Sequence, residues 1–373
     1  MRIIQIDKKK DLKSFVHFPN ALYKGNEFYV PQMESMDLDT FNPSVNKAFE
    51  VCEGAFYLAV SDDGRVLGRV AAIVNHKYNS KVGRKICRFG WIDFVDDPSV
   101  CKALLDQVEA YARSKGMEEV EGPVGFLEFD ITGVLVEGFD QLPTAYGKYN
   151  APYYEKYILD CGYAPYTDYV EYRITLPEVM PDRYERFASV VAERNGLVQV
   201  PIRSKKDIAP YIRSVFECMN RCYSHLEGFS ELTDGQCDDL VKQFLPNLHP
   251  DFVSIITPKD SARVVAFGVA MPSLSKALQR SGGRMLPWGW FHLLKALKKN
   301  DTLDALLIAI DDRYKDKGVN AMVFDKFIHS SQKHGIKYVE STRELADNTQ
   351  VQNLWGRFEH RLHKRARTYI KSL

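Results

Sequence analysis

Apolar and polar residues change rhythm along this chain in an order that occurs twice. Phe56–Val60 alternates into a turn at Asp62-Asp63-Gly64 and Val66–Val74 returns, which predicts a β-hairpin. Another strand is predicted over Cys87–Val95, ending at Asp96-Asp97-Pro98, and Pro98 suits the first turn of a helix. Leu104, Leu105, Val108, Tyr111 and Ala112 then share one face at a 3.6-residue period, up to Lys115-Gly116. Val120 and Glu121 belong to the next strand. In the second half, Phe252–Thr257 and Arg263–Met271 predict a hairpin, and Thr302–Ile310 predicts an apolar strand ending in Asp311-Asp312. Val319, Val323, Phe324, Phe327 and Ile328 mark the inner side of a helix closed by His334-Gly335, and Tyr338–Ser341 is the following strand.

The two runs superimpose. Gly335 stands 219 positions after Gly116, and the pairs Val339/Val120, Glu340/Glu121 and Asp325/Asp106 keep that offset. The Asp-Asp pairs stand only 215 apart, so the second copy carries four extra residues between strand and helix. Matched order and spacing predict an internal duplication. Two prolines between Thr175 and Pro181 favour a linker, dividing the chain into residues 1–176 and 177–373, each long enough to bury a core.

Composition narrows the class without naming an activity. The chain has 373 residues, 45% hydrophobic and 27% charged, with a mean hydropathy of −0.30. That is a globular balance. A net charge of +1 supplies no global field toward nucleic acid or anionic lipid. The most apolar stretch, Leu303–Ile310, falls far short of the ~20 residues that span a bilayer. The N-terminal MRIIQIDKKK lacks the order of a signal peptide, and seven scattered cysteines without CxxC read as reduced thiols, so a cytoplasmic protein is expected. Cys218 and Cys222, at helical spacing with His225 beyond, read as packing residues, and no metal site is expected.

The extra residues of the second copy carry the chemistry. A basic loop opening a helix offers unpaired backbone N–H groups and a positive dipole end to an anion. Lys315 and Lys317 add charge and Gly318 permits close approach to a diphosphate, against the plainer reading of a βα turn with solvated lysines. The order hairpin, strand, basic Gly loop, helix, strand, then Asn348, a helix and a terminal strand pair resembles the GCN5-related N-acetyltransferases (GNAT). Lys315-Asp316-Lys317-Gly318-Val319-Asn320-Ala321 is similar to their pyrophosphate loop, with Gly318 matching and Lys315 in place of Gln or Arg. Asn348 and Leu354 match the next signature, whereas Trp355 stands where a general-acid tyrosine is frequent. Gly138–Pro143, Tyr149–Tyr154, Leu286–Trp290 and Lys364–Tyr369 look like parts of a group of bacterial tandem GNAT-like proteins.

The resemblance implies an α/β protein of two tandem GNAT-like folds, each a mixed twisted sheet flanked by helices. It implies transfer from acetyl-CoA, or another acyl-CoA, to the amine of a small molecule or peptide. The cofactor would lie on Ile308, Ala309 and Ile310, on Lys315 through Ala321, and on Asn348. Asp96-Asp97-Pro98 places carboxylates where the first copy would hold diphosphate, so only the second is expected to bind CoA. Glu340 is the candidate base and Tyr369 the candidate acid. Glu128, Asp130, Tyr149, Asn150, Tyr153 and Tyr154 form either a substrate pocket between the copies or a packed, proline-fastened loop. Leu286–Lys299 reads as a helix covering the core rather than a membrane-surface element. His360–Arg367 reads as a solvated face rather than an RNA contact. Two other functions stay open: aminoacyl transfer from charged tRNA, and binding without catalysis.

Overall fold

The computed structural model describes residues 1–127, 129–177, 183–356 and 358–373. Its strands, in chain order, are β1 (Arg2–Gln5), β2 (Cys52–Val60), β3 (Val66–Asn75), β4 (Ile86–Phe94), β5 (Glu119–Gly122), β6 (Val134–Glu137) and β7 (Ala164–Thr175). The second half adds β8 (Leu197–Gln199), β9 (Val253–Pro258), β10 (Ala266–Pro272), β11 (Thr302–Ile310), β12 (Tyr338–Ser341), β13 (Glu344–Leu345) and β14 (Glu359–Ser372). Both predicted hairpins form, as β2–β3 and β9–β10.

One continuous sheet runs β1-β2-β3-β4-β5-β14-β7-β12-β11-β10-β9-β8, with β6 on β14 and β13 on β7. The order is palindromic in structural role. Each half has an antiparallel meander ending in one parallel pair, β4 with β5 and β11 with β12. Each half then completes its sheet with the other's last strand: β14 lies on β5, and β7 lies on β12. The fold is therefore two tandem GNAT-like units sharing an exchanged strand pair, β7–β14.

Local chemistry explains the helices that flank the sheet. In Pro98–Ser114, the Asp97 carboxylate accepts the Ser99 N–H at 2.8 Å and caps the start, and Gly116 at φ +71° lets the chain turn away. Its inner stripe, Val100, Cys101, Leu104, Leu105, Val108 and Ala112, is fully buried against β3 and β4. Each large aliphatic buried there contributes about 2 kcal/mol. The equivalent helix, Asn320–His334, buries Met322, Val323 and Ile328 on the same side of its own sheet.

Three expectations are corrected. The terminal strand pair is a single fourteen-residue strand, β14. From His363 onward its basic run is not a solvated face, because β14 sits mid-sheet and these cations meet carboxylates, whereas His360 and Arg361 stay exposed. Lys364 Nζ lies 2.9 Å from Glu171, His363 Nε2 lies 3.0 Å from Glu340, and Arg367 pairs with Asp168 and Glu155. The Leu286–Lys299 stretch does form a helix, Gly289–Lys298, and buries Leu293 in the core. Its other face covers nothing: Leu286, Trp288, Trp290, Phe291 and Leu294 stay exposed.

Candidate active site

Strands β11 and β12 pair in parallel only from Thr302/Tyr338 to Ala305/Ser341, after which they part. At that point β11 also carries a bulge. Val269 faces Leu307 but Ala270 faces Ala305, so Leu306 is an extra residue that re-aims the strand. The gap opens into a cavity of about 410 Å³. Phe324, Phe327 and Ile328 line it from one face of the sheet; Ile212, Phe216, Met219 and Tyr223 line it from the other, with Leu240 and Phe244 beyond. These two groups belong to helices on opposite sides, since Ile256, Ala266 and Ile308 pack with Asn320–His334 while Ile255, Phe267 and Ala309 pack with Ile212–Tyr223. The cavity thus passes through the split and is walled almost wholly by aliphatic and aromatic side chains.

Polar groups are a minority of its lining: Thr342, Arg343, Glu344 and Asn348 follow the split in the second half, Asp130 and Thr132 come from the first, and Glu227, Ser254 and Ser331 complete them. Glu344 is the most telling. Burial pushes its carboxyl up to about 7, against the hydrogen bond it accepts from the Trp355 indole N–H at 2.9 Å. Trp355 is itself buried and meets Phe324 edge-on at 5.8 Å. The neighbouring Arg343 is committed elsewhere. It donates to Glu171 and to the carbonyls of Gly133 and Lys148, tying the split to the first half. Burial also raises Asp130 to about 6, against the Leu127 N–H that it accepts at 2.9 Å.

At the far end of β11, charge replaces hydrophobicity. The Asp311 carboxylate accepts the Arg313 N–H and its guanidinium at 3.0 Å, and lies 3.5 Å from Arg221 and 3.6 Å from Arg263. Three half-exposed or exposed guanidiniums thus surround one carboxylate, leaving an excess of positive charge. Lys315 pairs with Asp312, and Lys317 lies over the Tyr314 ring. Gly318 takes φ +76°, and a Cβ there would come within 3.2 Å of the Phe187 ring. The left-handed backbone favours glycine here, and the close approach of Phe187 and Val191 adds to that preference.

The expected cofactor residues other than Asn348 lie on one continuous strand–loop–helix. Ile308 lines the cavity, with its carbonyl accepting the Tyr223 hydroxyl at 2.9 Å. Ala309 and Ile310 complete β11, residues 315–321 form the loop and helix start, and Asn348 reaches the cavity from the segment after β13. The candidate acid and base do not meet. Glu340 lies on β12 between Arg173 at 2.6 Å and His363, outside the cavity lining. Tyr369 is buried in the first half's core and donates to Glu155 at 2.9 Å.

Of the expected substrate residues, Asp130 lines the cavity, whereas Glu128 lies outside the described residues. The others pack or brace. Tyr149 meets Tyr23 edge-on, and the Asn150 amide bridges the backbone of Leu135. Tyr153 donates to the Phe94 carbonyl, and Tyr154 accepts the Phe94 N–H.

The first half has the same parallel pair, parting after Arg88/Glu121, but its split is plugged. Lys148 Nζ donates to the Ile92 carbonyl at 2.6 Å and sits 2.9 Å from the buried Asp93, which also pairs with Arg69. Asp97 caps its own helix where an anion would bind. Sequence reasoning missed Glu344, Arg221, Arg263 and the cavity helices Ile212–Tyr223 and Asp234–Phe244. Only Trp355 carried a signal, as a residue out of pattern.

No family model matches the chain. Over 375 residues it is 26% identical to protein YghO of Escherichia coli K12, covering 98% of this chain and 94% of the relative. Over 307 residues it is 25% identical to the bacterial ceramide synthase of Caulobacter vibrioides, covering 80% and 77%. A tandem GNAT protein from the clavulanic acid biosynthesis pathway superimposes with a TM-score of 0.56 at 10% identity, over 100% of this chain and 98% of that one. The fold is that of the tandem GNAT proteins.

Proposed function

We propose that this protein is an N-acyltransferase that moves a long acyl chain from acyl-CoA to the amine of a long-chain amino alcohol. The carrying observation is the apolar cavity at the β11/β12 split, with Glu344 on its wall. A cavity of this size and lining is poorly matched to acetyl, and it favours an alkyl chain, each buried methylene of which is worth about 0.8 kcal/mol. The donor in this reading is therefore a long-chain acyl-CoA rather than acetyl-CoA. Its phosphates would meet the guanidiniums of Arg221, Arg263 and Arg313, with Lys315 and Lys317 nearby. The relative that makes ceramide supports a lipid-like amine as acceptor.

The chemistry needs a neutral amine, a stabilised oxyanion and a dry site. A Glu344 carboxylate near pKa 7 can take the proton from an ammonium group close to working pH. The amine nitrogen then attacks the thioester carbonyl, the C–N bond forms, the C–S bond breaks, and free CoA thiol leaves with a proton. Backbone N–H groups on the β11 edge beyond Ala305, which β12 leaves unpaired, are placed to face the oxyanion. Trp355 orients the base through its indole N–H. Residues 1–176, with a plugged split, serve as scaffold and give the site Asp130 and Thr132.

The test is free CoA release from palmitoyl-CoA and from acetyl-CoA, each with sphinganine, with the amide product identified by mass spectrometry. Turnover with palmitoyl-CoA and about a hundredfold less with acetyl-CoA is expected. Preference for acetyl-CoA, or no CoA release from either, overturns the reading.

A further inference from the structure

Between Ser273 and Asn300 the chain carries six basic residues and no acidic one, although the whole protein has a net charge of only +1. Lys276, Arg280, Arg284, Lys295, Lys298 and Lys299 are all exposed, and of these Arg284 pairs with Glu34. Among them stands a contiguous apolar surface: Leu286 is 77% exposed, Trp288 70%, Phe291 52%, Leu294 48% and Trp290 43%. Single exposed leucines are ordinary, but two tryptophans, a phenylalanine and two leucines on one loop and helix face are not. The opposite stripe of the helix, Leu293, Ala296 and Leu297, packs in the cluster that contains Tyr146 and Leu306. Both of those residues also line the active-site cavity. One layer of side chains therefore separates the exposed patch from the cavity.

The geometry points to a membrane-docking surface, formed by the Met285–Phe291 loop and the helix Gly289–Lys298, that seats on an anionic lipid bilayer. Aromatic and leucine side chains enter the boundary between headgroups and acyl chains, and indoles favour that depth. The flanking lysines and arginines meet anionic headgroups, each worth about 1 kcal/mol near the surface. A protein partner would match the apolar face, but it gives no reason for a segment with six cations and no carboxylate of its own. Among the described residues no helix is long and apolar enough to cross a membrane, so the contact is peripheral. The inference stands on exposure and charge, independently of the reaction proposed above.

Flotation of the full chain with phosphatidylglycerol/phosphatidylethanolamine vesicles, beside vesicles of phosphatidylcholine alone, tests it. Binding to the anionic vesicles at least about tenfold above the neutral ones is expected. The variant Leu286→Ser/Trp288→Ser should lose about tenfold while keeping its melting temperature, since both residues are exposed. Lys295→Glu/Lys298→Glu/Lys299→Glu should abolish the preference for anionic lipid. Tryptophan emission supplies a second readout, because Trp91 and Trp355 are already buried and a blue shift on vesicle addition must come from Trp288 and Trp290. Equal flotation of wild type and variants, or no blue shift, overturns the proposal. So does self-association of the wild type, removed by Leu286→Ser/Trp288→Ser, without vesicle binding. Since no step of this test measures turnover, failure of the reaction and failure of the docking surface are distinguishable.

Discussion

Glu344 and Trp355, eleven positions apart, show how burial and one hydrogen bond set the proton affinity of an ordinary carboxylate. Burial disfavours the charged form and lifts the carboxyl from its usual 4.5 to about 7, while the indole N–H holds it back. Folding thus leaves Glu344 protonated where the unfolded chain has already released its proton. Stability falls as pH rises from about 4.5 to about 7 and levels off above. Glu344→Gln is expected to cut kcat about a hundredfold or more and to gain on the order of 1–2 kcal/mol in stability at pH 8. Steady-state kinetics and urea unfolding at pH 5 and pH 8 check both, and an unchanged kcat would remove Glu344 from the chemistry. Trp355→Phe keeps the bulk but deletes the donor. It should move the rising limb of the kcat–pH profile up by about one unit, a shift that a merely structural role would not cause.

The central elements are β7 and β14, the strands that the two halves exchange. Their pairing buries ions: Lys364 and Glu171 are 1% and 2% exposed in the side chain, and Arg343 completes the group at 9%. Burial alone would raise Glu171, but Lys364 and Arg343 outweigh it and hold its carboxyl below the usual range. Lys364→Ala is expected to cost about 3 kcal/mol, read as a lower urea midpoint, because it strands a buried charge. The strand–loop–helix after β11 makes a different prediction. Arg221→Ala/Arg263→Ala should raise the KM for acyl-CoA about tenfold with little change in melting temperature, since both side chains are part-exposed.

Much of this level was legible in the sequence. Both hairpins, the helices after Pro98 and Asn320, and β11 follow from period and turn chemistry, which are local. The role of β14 was not legible, because a run such as His360–Arg367 reads as solvated until the carboxylates of Glu137, Asp168, Glu171 and Glu340 are brought beside it. Glu344 was missed for the same reason: its environment comes from Trp355 and the parting of two strands, not from its neighbours in the chain.

At the scale of the molecule, the two halves carry similar splits with opposite fates. In the first, Lys148, Asp93 and Arg69 fill the space with a buried ion network. In the second, the space stays open and is walled by helices Ile212–Tyr223 and Asp234–Phe244. Met219→Trp should shorten the open cavity. It is expected to shift the preferred acyl-CoA to a shorter chain at a stability cost of about 1–3 kcal/mol, measured by CoA release across a chain-length series.

The central claim is that this cavity holds the acyl chain. The most direct measurement is calorimetric binding of non-reactive thioether analogues of acyl-CoA from two to eighteen carbons. Affinity should climb by roughly threefold to fourfold per added methylene until the cavity is filled, and Met219→Trp should bring the plateau earlier. Affinity independent of chain length, in wild type and variant alike, would contradict the account.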